Sequence, residues 1–337
     1  NFYSPNAKFP AAISYNKDMP LFKDRVFRRI FIALAALKAA ACAYVYFCNP
    51  LGESVLAFPD SLTYVYPAQT LLQYGQMWEA VSVAPMLLRT PGYPFFLALI
   101  QALAGNLTWA VAIVQNLLSL LLLIPVYLIA RQLATQNAAR WAAGFCAVSV
   151  LYFTLSFAVL TETLCVFLLA WSVYFIIRFF SHPRGRDLAA AAVLLAAAVY
   201  VRPAAYYWMF ASAVILACFS AGKLIRFPVR KILLFFVVPL VLCIVPWQIR
   251  NAVQTGFGGF TSVGAYNLYM WNEDYLAHKG NVSVTQAHEA LQQALPPGFH
   301  DLPAAQQVRL YKALAKPLIR EGFWYKLTHA PLWAAKT

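Results

Sequence analysis

The chain has 337 residues, of which 62% are hydrophobic and only 11% are charged. A soluble domain averages about 25% charged residues, so the composition excludes an ordinary soluble protein and indicates a polytopic membrane protein. The formal net charge is +14, but the basic residues lie in short loops between apolar runs, as the positive-inside rule describes, which argues against a nucleic-acid partner.

The N-terminal part of the chain predicts one span followed by a long loop. Residues 1–29 are polar and basic, which predicts a cytoplasmic segment. A first span is predicted from about Ile30 to Phe47, and residues 49–108 then form an outer loop. Within this loop, Ser61 to Gly75 predicts an amphipathic helix with Ser61 in its N-cap region. Tyr93 to Leu103 is shorter than the ~20 residues of a span, so it predicts a re-entrant or juxtamembrane helix.

Six more apolar runs complete a predicted transmembrane core of about seven spans over residues 30–250. These runs are residues 109–130, 139–158, 164–180, 188–200, 204–221 and 232–247. Alternating them places each basic loop between spans on the side of the N-terminus, which supports the count. Residues 251–301 predict a polar outer loop, and residues 302–336 predict an amphipathic, basic helical region. We expect further spans after residue 337.

The same alternation brings charged residues from distant parts of the sequence to the outer side. They are Asp60, Arg89, Glu162, Arg202 and Arg250. Charges close to spans are costly and are usually functional or paired. This convergence is the strongest functional signal in the sequence.

Each of these residues has a functional and a structural interpretation. Asp60 is a candidate general base or a helix-capping acid. The guanidinium of Arg89 suits phosphate oxygens, or it reaches lipid headgroups. Arg202 and Arg250 are further candidate phosphate contacts, or mark an interfacial break and the end of a span. Glu162 either caps a helix or orients an acceptor or a cation.

Other motifs point to no cofactor. The six cysteines show no paired spacing, the histidines show no metal-ligand spacing, and there is no glycine-rich nucleotide loop. We therefore predict no metal site and no nucleotide, and leave open a divalent cation as a cofactor.

Six short motifs follow one another along the chain. They are Asp60-Ser-Leu-Thr-Tyr64, Arg89-Thr-Pro-Gly-Tyr-Pro94, Thr161-Glu-Thr-Leu164, Val201-Arg-Pro203, Pro246-Trp-Gln-Ile-Arg-Asn251 and Asn267-Leu-Tyr269. Over roughly residues 30–330 the chain resembles the bacterial family 39-like membrane glycosyltransferases of the GT-C superfamily. That superfamily includes protein O-mannosyltransferases and the aminoarabinose transferase that modifies lipid A.

The resemblance implies a GT-C helix bundle in the bacterial inner membrane, with juxtamembrane helices in the first outer loop and a periplasmic active site. It implies a polyprenyl-phosphate sugar donor and a lipid, glycan or protein acceptor, with Asp60 as the catalytic base and Glu162 as a second catalytic candidate. Ser61 follows Asp60 where protein O-mannosyltransferases have an Asp-Glu pair, a departure that weakens a role in protein mannosylation.

The predicted site has further members. We predict that the donor phosphate contacts Arg89, Arg202 and Arg250, and that the substrate pocket includes Tyr64, Tyr93, Asn251 and Asn267. Direct displacement at the anomeric carbon would invert its configuration.

Two other functions remain open. A transporter or flippase of lipid-linked sugars would place charges near the bilayer midplane and show repeat symmetry, whereas here the charges cluster at one face and no repeat is evident. A non-catalytic subunit of an envelope complex is the other alternative.

Overall fold

The computed structural model describes residues 21–48, 58, 60–79, 84–105, 107–223, 225 and 227–333, and these residues form helices and no extended strand. Two compact units result. Unit 1 comprises residues 1–82 and 91–243, and unit 2 comprises residues 83–90 and 244–337. Most of the predicted cytoplasmic segment, and residues 49–57 of the predicted outer loop, lie outside the described residues.

The helices follow one another closely. In unit 1 they are α1 (Arg25–Cys48), α2 (Leu62–Tyr74), α3 (Gly92–Ala104), α4 (Leu107–Leu121), α5 (Leu123–Leu133), α6 (Gln136–Ala147), α7 (Val150–Leu155), α8 (Glu162–Ser181), α9 (Gly185–Val201), α10 (Ala205–Ala221) and α11 (Val229–Ile232). A π-helical turn, Leu233–Val237, leads into α12 (Val238–Thr255), within which the division between the units falls. Unit 2 continues with α13 (Val263–Met270), α14 (Glu273–Gly280), α15 (Val284–Gln293) and α16 (Ala304–Trp333).

Four helical stretches in the described residues are long and apolar enough to cross a membrane. They are Arg25–Cys48, Thr108–Leu133, Glu162–Ser181 and Val229–Thr255. The predicted all-α polytopic membrane fold is therefore confirmed. The predicted re-entrant or juxtamembrane helix corresponds to α3, and the predicted fifth and sixth spans correspond to α9 and α10, of 17 residues each.

Two predicted spans are interrupted. The second forms as α4 and α5, which meet at Leu122, because Pro125 has no amide hydrogen for the carbonyl four residues before it. The prediction of residues 139–158 as one span was wrong. The Ser149 hydroxyl accepts a hydrogen bond from the Tyr152 amide at 3.4 Å and starts the short α7 after α6 has ended.

The region predicted as a polar outer loop without a span, residues 251–301, contains the short helices α13, α14 and α15, and none of these three is among the candidate spans of the described residues. Their short apolar faces escape a search for long apolar runs. In α15, for example, only Ala287 and Leu291 are buried, and a capping box between Ser283 and Gln286 defines the start of the helix. The amphipathic helical region predicted for residues 302–336 is confirmed as α16.

Small residues allow the closest helix contacts in unit 1. The buried face of α9 is rich in alanine, and the Ser172 hydroxyl of α8 donates to the Ala191 carbonyl of α9 at 2.9 Å. At the N-terminus of α3, a Cβ on Gly92 would lie 2.6 Å from the Tyr200 carbonyl carbon. Only glycine permits this approach, which holds the start of α3 against the end of α9.

A buried carboxylate just before the N-terminus of α1 joins α1, α5 and α6. Asp24 accepts hydrogen bonds from Tyr127 at 2.7 Å, Gln136 at 2.8 Å and the Arg140 Nε at 2.9 Å. Burial alone would raise the pKa of Asp24, but the bonds from these side chains lower it well below its usual value. The ionised carboxylate therefore fixes α1 against α5 and α6.

Candidate functional site

The segment between α7 and α8, residues 156–161, is not an α-helix, and we call it the elbow. Its carbonyls accept hydrogen bonds from side chains of distant segments. The donors are Asn116 Nδ2 to Ser156 at 3.2 Å, Gln115 Nε2 to Ala158, and Ser61 Oγ to Val159 at 3.0 Å. Backbone polar groups in an apolar environment need such partners. Helix α4 and the start of α2 thus hold the elbow that leads to Glu162.

Asp60 lies next to this attachment. The Ser61 hydroxyl, which donates to Val159, also accepts from the Phe58 amide at 2.8 Å, and Asp60 is exposed. Ser61 occupies the predicted N-cap position of α2, but its side chain makes no capping hydrogen bond. Its hydroxyl instead places the Asp60 segment beside the start of α8.

Glu162 and Arg202 form an ion pair. Glu162 is in the first turn of α8, where the helix dipole favours a negative charge, and Arg202 follows the last residue of α9. The Arg202 guanidinium also donates to the Thr161 hydroxyl at 3.2 Å. The side chain of Glu162 is 29% exposed and that of Arg202 is 43% exposed, so both stay accessible to a ligand. A phosphate at Arg202 would have to share it with Glu162.

The two tyrosines predicted to line the substrate pocket pack against each other. Their rings meet edge to face, with centroids 5.3 Å apart, and the Tyr93 hydroxyl donates to Gln115 Oε1 at 3.1 Å. Tyr93 is fully buried and Tyr64 nearly so. Through these contacts they join α2 to α3 and α4, and their contact with a substrate stays a prediction.

In unit 2, the segment before Arg89 is bound to α12 and to the start of α13. Arg250 donates to the Met86 carbonyl at 2.8 Å, and the Thr261 hydroxyl lies 3.0 Å and 2.7 Å from the Leu87 and Leu88 carbonyls. The Arg250 guanidinium also stacks on Trp247, 4.6 Å from its ring centroid. Arg89 itself is half-buried. The fold therefore brings the two predicted phosphate ligands, Arg89 and Arg250, into one neighbourhood within unit 2.

The two predicted pocket asparagines differ in their surroundings. Asn251 is fully buried, and its amide group donates to the Gly259 and Phe260 carbonyls at 2.9 and 3.0 Å while its oxygen accepts from Arg250. The Asn251 side chain thus orients the Arg250 guanidinium through this hydrogen bond. Asn267 is half-buried on α13. A contact of either residue with substrate stays a prediction.

A buried lysine within α1 was not among the predicted residues. Lys38 is 5% exposed, and its ammonium group donates to Asn116 Oδ1 at 3.0 Å and to Ser156 Oγ at 2.9 Å. It also lies 4.5 Å from the Phe153 ring centroid. The signal was available, because an ionisable residue inside a span is rare and generally functional or paired. Here Lys38 attaches α1 to α4 and to the elbow.

Within the ranges that the structure describes, no three or more His, Cys, Asp or Glu side chains form a cluster that could hold a metal ion. The cysteines there are all free thiols.

Comparison with known proteins gives one family. Residues 88–248 match the family described as dolichyl-phosphate-mannose-protein mannosyltransferase. The matched stretch contains Arg89, Glu162 and Arg202, whereas Asp60 and Arg250 lie outside it. No curated protein sequence matches the chain. The family match, together with the apolar helices, supports a membrane glycosyltransferase of the GT-C type, as the order of motifs predicted.

Proposed function

We propose that this protein transfers a sugar from a polyprenyl-phosphate donor to a lipid, glycan or protein acceptor at the outer face of the bacterial inner membrane. One observation carries the proposal. The Asp60 segment is bonded through Ser61 to the elbow, and the elbow leads directly into the ion pair of Glu162 and Arg202. An accessible carboxylate thus lies near a second acid and a cation, in a chain with few charges.

In the proposed reaction, Asp60 accepts the proton of the acceptor hydroxyl or amine as the acceptor attacks the anomeric carbon. The bond between that carbon and the phosphate oxygen breaks, and the polyprenyl phosphate leaves with the electron pair. Displacement from the opposite face inverts the anomeric configuration. Glu162, held by Arg202, orients the acceptor or a divalent cation.

The leaving phosphate needs positive charge. In this proposal Arg89 and Arg250 supply it, because Arg202 already shares its charge with Glu162. Arginine suits the role, since its planar fork matches phosphate oxygens and it stays charged. No nucleotide is needed, which agrees with the lack of a glycine-rich nucleotide loop in the sequence.

The proposal is tested with membrane vesicles that contain or lack the purified chain, supplied with a polyprenyl-phosphate sugar labelled in the sugar. We expect label to move into an acceptor of the envelope and polyprenyl phosphate to form in equal amount. Label that crosses the membrane while still attached to its lipid would instead indicate a flippase. Neither transfer nor transport would indicate a non-catalytic subunit.

Arg89→Ala is expected to reduce donor use strongly, because a charge-assisted contact to a phosphate contributes about 1.5–3 kcal/mol. Arg89→Lys should restore only part of this loss, because the ammonium group lacks the fork geometry. Donor-dependence kinetics measure both effects. Arg131→Ala is the matched control, since Arg131 is a half-buried arginine at the end of α5, on the predicted cytoplasmic side. Unchanged kinetics in both Arg89 variants would mean that Arg89 contacts lipid headgroups instead.

A further inference from the structure

The outward side of α16 carries a continuous basic row. Arg309, Lys312, Lys316 and Arg320 are all exposed. The residues recur at intervals of three or four, so they lie along one side of the helix over roughly 16 Å. A different side of the helix is buried in unit 2 through Val308, Ala315 and Gly322.

The charge of this row is not cancelled within the helix. Glu321 is the only acidic residue of α16. It is held by Lys279 of α14, whose ammonium group lies 2.9 Å from its carboxylate. The fifth basic residue, Lys326, turns inward and donates to Asn272 at 2.7 Å. The outward row therefore presents four positive charges beside a carboxylate that is already neutralised.

Large apolar side chains continue the same side toward the C-terminal end of α16. Phe323, Trp324 and Leu327 are 51%, 70% and 58% exposed. Aromatic side chains of this kind are typical of the boundary between water and lipid. Basic residues followed by exposed aromatic and aliphatic ones are the two components that amphipathic helices use to bind a membrane surface.

We propose that the outward side of α16 binds an anionic lipid surface, with the basic row on the headgroup phosphates and Phe323, Trp324 and Leu327 at the edge of the hydrocarbon. Charge complementarity selects this occupant, because a neutral partner would leave four positive charges without counterions. The proposal concerns unit 2 alone and does not depend on the transfer reaction.

The expected effect of charge follows from the surface potential of anionic membranes. Each Lys or Arg near such a surface contributes about 1 kcal/mol, which is about a fivefold gain in binding. Replacing three residues of the row should weaken the contact on the order of 100-fold. The row is exposed, and surface substitutions usually change folding stability by no more than about 0.5 kcal/mol, so the fold should persist.

The test uses the full chain in nanodiscs of phosphatidylcholine, with or without phosphatidylglycerol, that contain lipids brominated on their acyl chains. Bromine quenches nearby indole fluorescence, and the signal of Trp324 is obtained as the difference from Trp324→Phe. We expect phosphatidylglycerol to increase this quenching in the natural sequence. The triple variant Arg309→Gln, Lys316→Gln, Arg320→Gln should lose the increase.

A matched variant removes three exposed charges elsewhere, namely Arg184→Gln, Arg186→Gln and Arg230→Gln, and should keep the increase. Equal quenching of Trp324 with and without phosphatidylglycerol, or an increase that survives in the α16 variant, would overturn the proposal. Loss of the increase on adding soluble glycerol phosphate at constant ionic strength would also overturn it, because it would show a site for a free phosphate rather than for a surface.

Discussion

Asp60→Asn is expected to lower turnover by about 10²–10⁴-fold, the usual contribution of a general base. Asparagine has nearly the same size as aspartate and keeps most of its hydrogen bonds, but it cannot take up the proton of the acceptor. Binding of the donor lipid should stay near normal, because the proposed phosphate ligands are arginines in other segments. Turnover and donor binding are measured on the same preparation, with folding checked by a thermal melt.

The same substitution separates catalysis from capping. If Asp60 only capped α2, asparagine would cap equally well and activity would survive. Glu79→Gln is the matched control, since Glu79 is the other described acid between Phe58 and Arg89, and it should leave turnover unchanged. A well-folded and fully active Asp60→Asn protein would remove the catalytic assignment and make Glu162 the next candidate.

Asn116→Leu is expected to destabilise the fold by about 2–3 kcal/mol. The substitution removes the acceptor at 3.0 Å from the Lys38 ammonium group and the donor to the Ser156 carbonyl. On insertion scales a charged side chain at the centre of a span costs about 2.5–3.5 kcal/mol, and the substitution removes a partner that offsets this cost for Lys38. Unfolding in mixed micelles by increasing denaturing detergent measures the change in free energy.

A double-mutant cycle tests whether the stranded charge is the cause. Adding Lys38→Met to Asn116→Leu should recover more than half of the lost stability, because the buried charge and its partner are then both replaced by apolar groups. Interhelical hydrogen bonds in membranes contribute about 0.6 kcal/mol on average and reach about 1.7 kcal/mol. A coupling free energy between the two substitutions above that range would indicate a charged Lys38. Additive effects would show that the stranded charge of Lys38 is not the cause of the destabilisation.

The sequence was sufficient for features that depend on local composition. Long apolar runs predicted α1 and α8, and the amphipathic pattern after residue 301 predicted α16. The order of short motifs predicted the family that the comparison then supported. These signals depend only on the order of residues along the sequence, so they can be recognised without knowing how the helices pack.

Features that depend on how helices face one another were not predicted. The pairing of Glu162 with Arg202 joins residues 40 positions apart, and it depends on the rotation of α8 and α9 about their axes, which hydropathy does not define. The use of the Ser61 hydroxyl by Val159 has the same origin, because a serine before a helix ordinarily predicts a cap. Breaks inside apolar runs, as at Ser149, were missed because hydropathy reports length and not continuity.

The elbow also has a consequence for the order in which the protein is made. Four side chains from earlier segments donate hydrogen bonds to the elbow. Lys38 bonds to the Ser156 hydroxyl, and Asn116, Gln115 and Ser61 bond to the carbonyls of Ser156, Ala158 and Val159, respectively. These four donors all precede the elbow in the chain, so a ribosome synthesising from the N-terminus has already made them when residues 156–161 emerge. An unpaired carbonyl in hydrocarbon costs several kcal/mol. The carbonyls of Ser156, Ala158 and Val159 can therefore be bonded by partners that are already in the membrane, whereas the Thr161 hydroxyl receives its bond from Arg202, which is translated later.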